Sequence, residues 1–199
     1  NIINERVEAR IQTEPGFVER SKVDFIDVAT NQAFSVATSM IPFLEHNDAN
    51  RALMGSNMQK QATPCVLPEA PLVATGTEEL AATDSGRLVV AEENGTVFSV
   101  SARQIVIKGS KGDYTYDLAN FNRTNNFSCF HQRPIVSVGD KIKKGDILAD
   151  TSSSVNGQIA LGQNILMAFM SWSGANYEDA IILSERLVKK SKFSSIHLE

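Results

Sequence analysis

The sequence predicts an α+β fold, mainly β, with a β-barrel or barrel-sandwich-like core and a few short helices. Three observations predict it: one capped helical segment near residue 50, a long succession of short apolar runs broken by glycine turns, and two abrupt ends. With 199 residues, 42% hydrophobic and 21% charged, the composition is globular and excludes a disordered, collagenous or coiled-coil chain. A chain of this length buries enough surface to need no disulfide or metal staple.

Residues 2–11 alternate loosely, starting without methionine or cap, and Phe193 to Glu199 reads as a strand cut off in progress. Both ends are those expected of a piece of a longer polypeptide. Residues 23–43 are dense in apolar side chains, and Pro42 pushes Ile41 out of helical geometry. A helix is expected from Ala49 to Lys60, with Asn47 or Asp48 as cap and Pro64 as stop. At 100° per residue, Arg51, Met54, Asn57 and Gln61 fall within about a third of its circumference. By itself that polar face reads first as a solvated surface, since polar helix faces usually meet water.

Pro64, Pro68 and Pro71 make an extended connector, which divides the chain into residues 1–63, holding the helix, and a β-rich part, 64–199. A hairpin is expected over 87–100, turning at Asn94-Gly95, because both residues tolerate the positive φ of a mirror-image turn. Residues 104–108 extend it, and 109–133 reads as a loop excursion with a short strand around Tyr114 and Tyr116. Between Pro134 and Asp150, Gly139-Asp140 and Gly145-Asp146 each turn a short apolar strand. With the apolar run Ile165–Met170 this forms a barrel-sandwich-like module over 134–170. An acidic-pair segment, 174–190, follows, with a short helix capped by Ser184 and ending near Lys189-Lys190.

Several functions are excluded. Nineteen basic residues against 23 acidic ones give a net charge of −4, so the chain alone should bind nucleic acid weakly. Cys65 and Cys129 have no metal-ligand spacing, and a reducing compartment is expected. His46, His131 and His197 share no spacing either; His46, between Glu45 and Asn47, suits a structural hydrogen bond. No apolar run approaches the ~20 residues of a membrane span, so no membrane partner is expected. No phosphate loop, dinucleotide fingerprint or hydrolase elbow occurs. The Gly-Asp…Lys-Gly-Asp segment resembles the strands of biotinyl and lipoyl carrier domains, but no lysine occupies the turn after Leu148. The resemblance supports the fold and argues against the carrier function. Glu178 and Asp179 are adjacent acids; from a regular strand they point to opposite faces, so at most one of them meets a given hard cation.

The stretch from Ser39 through IPFLEHNDANRALMGSNMQKQA to Ala62 closely resembles a signature of the β-subunit family of bacterial-type DNA-directed RNA polymerases. A second stretch, from Ala160-Leu161-Gly162-Gln163-Asn164 to Asn176-Tyr177-Glu178-Asp179-Ala180 and on to Arg186, is similar to the same family further along. The resemblance implies a part of a larger subunit in the catalytic core of a nucleotidyltransferase that adds ribonucleotides to an RNA 3′ end on a DNA template. It implies two Mg²⁺ ions held mainly by a β′ subunit, and a double-psi β-barrel to which this segment contributes. By the same resemblance Arg51 contacts the nucleotide triphosphate, Asn50 is its neighbour in the substrate site, and Gln61 lies near the nascent RNA. Glu178 and Asp179 match an acidic pair near the second metal, Asp179 being the candidate metal ligand. Implied partners are the β′, α and ω subunits, a sigma factor, template DNA, nascent RNA and ribonucleoside triphosphates, in the cytoplasm or a plastid. The isolated segment is expected to be inactive. Asn47 stands where the family usually has aspartate, and Lys60 where it often has arginine, which keeps the charge but loses bidentate geometry. Two other readings use the same residues differently: a β-rich scaffold or interaction module that needs no site, and a small Mg²⁺-dependent hydrolase built on Glu178 and Asp179.

Overall fold

The structure, a computed structural model, describes residues 3–199. Ile2, the first residue of the expected opening strand, lies outside them. Packing divides the chain into two units that separate after Ser35.

The first unit is built on an antiparallel hairpin of β1 (Arg6–Ile11) and β2 (Glu14–Glu19), with Ile11 opposite Glu14. The two-residue loop between them, Gln12 and Thr13, has positive φ at both positions, as the twist of a tight hairpin requires. A 3₁₀ turn, Arg20–Lys22, closes it. Beyond that the apolar residues of 25–34 form no strand, and Phe25, Ile26 and Val28 are exposed.

The second unit opens with α1 (Val36–Ser39), a 3₁₀ turn at Leu44–His46 and α2 (Ala49–Lys60). The predicted helix and its cap are both present: the Asp48 carboxylate accepts from the Asn50 amide at 3.1 Å, and the Gln61 amide ends the last turn by donating to Asn57 and Met58 carbonyls. A further helix, α3 (Thr77–Asp84), falls in the part expected to be mostly β. It is nucleated by Glu78, whose carboxylate reaches back to the amides of Thr75 (3.0 Å) and Gly76 (2.8 Å). The spacing Thr75-x-x-Glu78 is that of a capping box.

Nine short strands follow before the hairpin that ends the sheet region: β3 (Val89–Val90), β4 (Gly95–Val100), β5 (Gln104–Gly109), β6 (Asp113–Asp117), β7 (Asn122–Arg123), β8 (Cys129–Phe130), β9 (Arg133–Pro134), β10 (Lys141–Ile142) and β11 (Ile147–Asp150). Among the described residues all pairings are antiparallel. One sheet has the order β10-β4-β5-β6, another β3-β11-β9, and β7 pairs with β8. The chain is thus mainly β, with few short helices, and no sheet closes into a barrel. The core lies between the two larger sheets, where Ala91, Val97, Ile105, Ile107, Leu118, Ile142, Leu148 and Ala149 are buried together. Each fully buried large aliphatic side chain there contributes about 1.5–3 kcal/mol.

The two Gly-Asp turns are as expected, and they dock in the same way. In each, the glycine has positive φ (96° at Gly139, 94° at Gly145) and the aspartate carboxylate accepts from an amide three residues back, Ser137 or Lys143. Gly139 N–H donates to Val97 O and Val97 N–H to Asp140 O, both at 2.9 Å. Six residues along in each segment, Gly145 N–H donates to Ala91 O and Ala91 N–H to Asp146 O, at 2.9 and 2.8 Å. The pair of turns thereby pins residues 137–146 to residues 91–97 at two matched points.

Asn94-Gly95 is not the expected hairpin turn. β3 pairs with β11, not with β4, and neither Asn94 nor Gly95 has positive φ. Gly95 lies inside β4 opposite Gly109, where a Cβ would meet Ile107 Cγ2 and the Lys108 carbonyl oxygen at 2.5 Å, and Asn94 Oδ1 accepts from Lys144 N–H. The Asn-Gly hairpin is instead at Asn156-Gly157, with φ of 50° and 77°, between β12 (Ser154–Val155) and β13 (Gln158–Ile159). Nor is the run Ile165–Met170 a strand: it is irregular, with Leu166 and Phe169 96% and 90% exposed. Residues 193–199 likewise form no strand, only a single bridge between Ser128 and His197. The last helix, α4 (Glu185–Lys189), carries the expected Ser184 cap.

Candidate functional site

α2 presents its polar residues to solvent. Asn50, Arg51, Asn57 and Gln61 are all exposed, and Ser56 is the only fully buried residue of the helix. The Arg51 guanidinium makes one intramolecular contact, Nη1 to Met54 Sδ at 3.5 Å, and has no carboxylate partner among the described residues. A capped twelve-residue helix thus holds an exposed cation one turn from its N-terminus, beside Asn50, whose side chain makes no hydrogen bond among the described residues. His46, on the turn before, is exposed, its Nε2 3.9 Å from Glu45 Oε1, too long for the expected structural hydrogen bond.

Glu178 and Asp179 lie on a compact turn, not at the end of a strand. Asn176 builds the turn: its Oδ1 accepts from Trp172 N–H (2.8 Å) and its Nδ2 donates to Met170 O (2.7 Å). Tyr177 N–H donates to Gly174 O and Ala180 N–H to Tyr177 O. Glu178 has φ of +54°, a left-handed conformation that a non-glycine residue adopts at a cost of about 1–2 kcal/mol. Both carboxylates are exposed and unpaired with any cation among the described residues. No group of three His, Cys, Asp or Glu side chains suited to a metal occurs among the described residues, so the pair offers a metal two carboxylates and no third such side chain. The structure brings Asn50, Arg51 and Gln61 together on one helix and Glu178 and Asp179 on one turn. No hydrogen bond or ion pair joins the two groups among the described residues.

Behind α2, the proline connector is tied into the unit by side chains the sequence reading passed over. Glu69 pairs with Lys192 and accepts from Asn164 N–H at 3.0 Å, and its amide donates to Gly162 O at 3.0 Å. The Lys192 ammonium, then the Asn164 amide, hold the Glu69 carboxyl below its ordinary value. Asn164 also donates to Ala70 O and accepts from Leu72 N–H, while Val66 N–H donates to Ser194 O. A cleft of about 300 Å³ opens beside this clamp, bordered by Gln59 of α2, Glu78 of α3 and Gln163. A second, of about 220 Å³, is bordered by Cys65, Cys129 and His131. Burial pushes the Cys129 thiol up, which keeps it un-ionised and unreactive at neutral pH. Nothing in the sequence alone links residues 59, 69, 78 and 163; only the fold does.

A family model described as RNA polymerase Rpb2, domain 6, matches residues 90–199. Among curated proteins, the chain is 52% identical over 200 residues to the DNA-directed RNA polymerase subunit beta of Gloeobacter violaceus, covering 100% of this chain and 18% of that protein. The same subunit of Caldicellulosiruptor bescii is 52% identical over 198 residues, 99% of this chain and 16% of the relative. That of Mesoplasma florum is 52% identical over 198 residues, 100% of this chain and 15% of the relative. The chain therefore spans less than a fifth of the length of the curated relatives it matches.

Proposed function

Because the chain belongs to the family described as RNA polymerase Rpb2, domain 6, we propose that it works as part of the catalytic core of a DNA-directed RNA polymerase β subunit, in template-directed addition of ribonucleotides to RNA. The observation that carries the chemical side of this reading is Arg51: a guanidinium exposed on a capped helix and left without an anionic partner among the described residues. A triphosphate offers this guanidinium the paired, charge-assisted hydrogen bonds its planar fork is shaped for.

In this reading Arg51 binds and orients the phosphates of the incoming nucleotide, Asn50 contributes a free carboxamide beside it, and Gln61, at the far end of the same face, meets the nascent RNA. Phosphoryl transfer relies on positioning and on neutralising charge at phosphate oxygens, and these side chains serve the first purpose. Glu178 and Asp179 have the hard oxygen donors that Mg²⁺ takes, but too few of them to hold it, so the ion is held mainly by β′ and Asp179 adds one carboxylate from this side. Mg²⁺, when bound, supplies charge neutralisation to the phosphates. The proposed partners are β′, α, ω and sigma, template DNA and RNA, in the cytoplasm or a plastid; no helix among the described residues is long and apolar enough to cross a membrane. With a net charge of −4, phosphate binding by this chain depends on a few placed cations and on basic surface supplied by the rest of the assembly.

The test is Arg51→Ala in an assembled polymerase carrying this sequence. Loss of hydrogen bonds to a charged ligand, worth about 1.5–3 kcal/mol, should lower kcat/KM for single-nucleotide extension roughly tenfold to a hundredfold, with a raised apparent KM for nucleotide. Extension kinetics equal to the parent enzyme would refute the role given to Arg51.

A further inference from the structure

Four of the chain's five methionines, Met54, Met58, Met167 and Met170, are exposed, so exposure singles out none of them. Position does. Met54 follows Arg51 by three residues on α2, the spacing that sets two side chains next to each other on one helix face. Its Sδ lies 3.5 Å from Arg51 Nη1. A thioether sulfur is a weak acceptor, and the guanidinium has no carboxylate partner among the described residues. The arginine therefore stands against the sulfur without being satisfied by it.

Oxidation of that sulfur changes the balance. Hydrogen peroxide converts a thioether into a sulfoxide, a polar group that methionine sulfoxide reductases turn back. The sulfur lone pair attacks one peroxide oxygen, an S–O bond forms as the O–O bond breaks, and the other oxygen takes the electron pair. The proton of the transferred oxygen passes to the departing one, which leaves as water. Sulfur is oxidised and the peroxide is reduced. The new oxygen carries partial negative charge, so it is a far better acceptor than the thioether, and it forms on the atom that already faces the Arg51 guanidinium.

We propose that Met54 is a reversible oxidation site that governs Arg51. As a sulfoxide it accepts a charge-assisted hydrogen bond from the guanidinium and competes for it with the nucleotide phosphates, on the premise that Arg51 binds them as proposed above. The same premise supplies the access. A guanidinium open to a triphosphate in the assembled enzyme has the sulfur beside it open, by the same route, to the much smaller peroxide. Met54 itself is 45% exposed in this chain. The consequence is an enzyme that loses affinity for nucleotide under peroxide and regains it on reduction.

The test is made in an assembled polymerase carrying this sequence, exposed to hydrogen peroxide while peptide mass spectrometry follows oxidation of Met54. The apparent KM for nucleotide in single-nucleotide extension should rise about threefold to tenfold with kcat little changed, and methionine sulfoxide reductase should restore it. Met54→Leu should keep the parent kinetics and lose the peroxide response. Met54→Gln, whose amide oxygen stands in for the sulfoxide, should raise KM without peroxide. Engagement of Arg51 is read separately, without nucleotide, by its rate of modification with phenylglyoxal, which should fall on oxidation and in Met54→Gln. A Met54 that resists peroxide, an equal peroxide effect in parent and Met54→Leu, or a phenylglyoxal rate unmoved by oxidation would overturn the inference. So would a parental KM in the oxidised enzyme where Arg51→Ala raises it, a result that leaves the role of Arg51 standing. A parental KM in Arg51→Ala, beside a slowed phenylglyoxal reaction, would instead refute the nucleotide role while supporting the bond between sulfoxide and guanidinium.

Discussion

Asp150 offers the sharpest structural test, because a single buried carboxylate organises the turn that leads from the core to the connector clamp. It is 4% exposed, and its two oxygens accept from Ser154 Oγ at 2.9 Å, Asn156 N–H at 2.7 Å and Gly157 N–H at 2.9 Å. In Asp150→Ala, Asn156 is exposed and its amide turns to water, but Ser154 and Gly157 are buried and their donors are stranded. At about 1–3 kcal/mol for each stranded donor, the cost is roughly 3–4 kcal/mol. Since every 1.4 kcal/mol is tenfold, exchange of the Gly157 amide with deuterium should accelerate by about two to three powers of ten. The β1–β2 hairpin, in the other unit, should keep its protection. Asp150→Asn is the companion: one of its two positions becomes an NH₂ facing a donor, so it should fall closer to alanine than to the parent. Unchanged Gly157 exchange in Asp150→Ala would refute the role of the carboxylate, and an asparagine variant equal to the parent would refute the need for two acceptor oxygens.

Two further outcomes follow from the same geometry. Gly157→Ala has a φ of 77°, and its added Cβ would meet only the far end of the Ile147 side chain, which can turn aside, so in chemical denaturation it should cost mainly its backbone strain of about 1–2 kcal/mol, the same as alanine at Gly139, where no atom lies within 4 Å of the added Cβ. The Glu69 tie should be pH-dependent: its folded pKa lies below the ordinary 4.5, so its stabilisation is complete above pH about 4.5 and fades as pH falls through the lower folded value. Lys192→Ala should move the Glu69 titration, followed by carboxyl NMR, back up toward 4.5; an unmoved titration would show that the ammonium is not the cause.

What could be read from the sequence was what is encoded within a few residues. Asp48 marks the start of α2, and the Gly-Asp turns are specified by a glycine with positive φ and an aspartate that caps its own turn. Ser184 and α4 follow the same logic. The capping box at Thr75 and Glu78 carried as much information as the Asp48 cap, but the surrounding residues read as β, and the signal went unused. The failures were decisions about partners. Asn-Gly marks a site that tolerates a mirror-image turn, and the sequence contains two; strand pairing decides between them. It placed Gly95 inside a strand against Gly109, and left Asn156-Gly157 free to turn over Asp150.

The same distinction accounts for Ile165–Met170. Apolar character makes a strand only where another strand or helix covers it, and among the described residues nothing pairs with this run, so Leu166 and Phe169 remain in solvent. Site residues divide along the same line. Arg51, Met54, Asn57 and Gln61 were legible as one face because helical periodicity alone aligns them, whereas Asn50 joined Arg51 and Gln61 only through the family resemblance. Gln59, Glu78 and Gln163 come from three segments up to about a hundred residues apart, and they become neighbours only because Glu69 and Asn164 fasten the proline connector to the segment after β13. Loosening that fastening should therefore open the cleft while leaving α2 and its exposed arginine intact, since α2 is capped by its own Asp48 and owes nothing to the clamp.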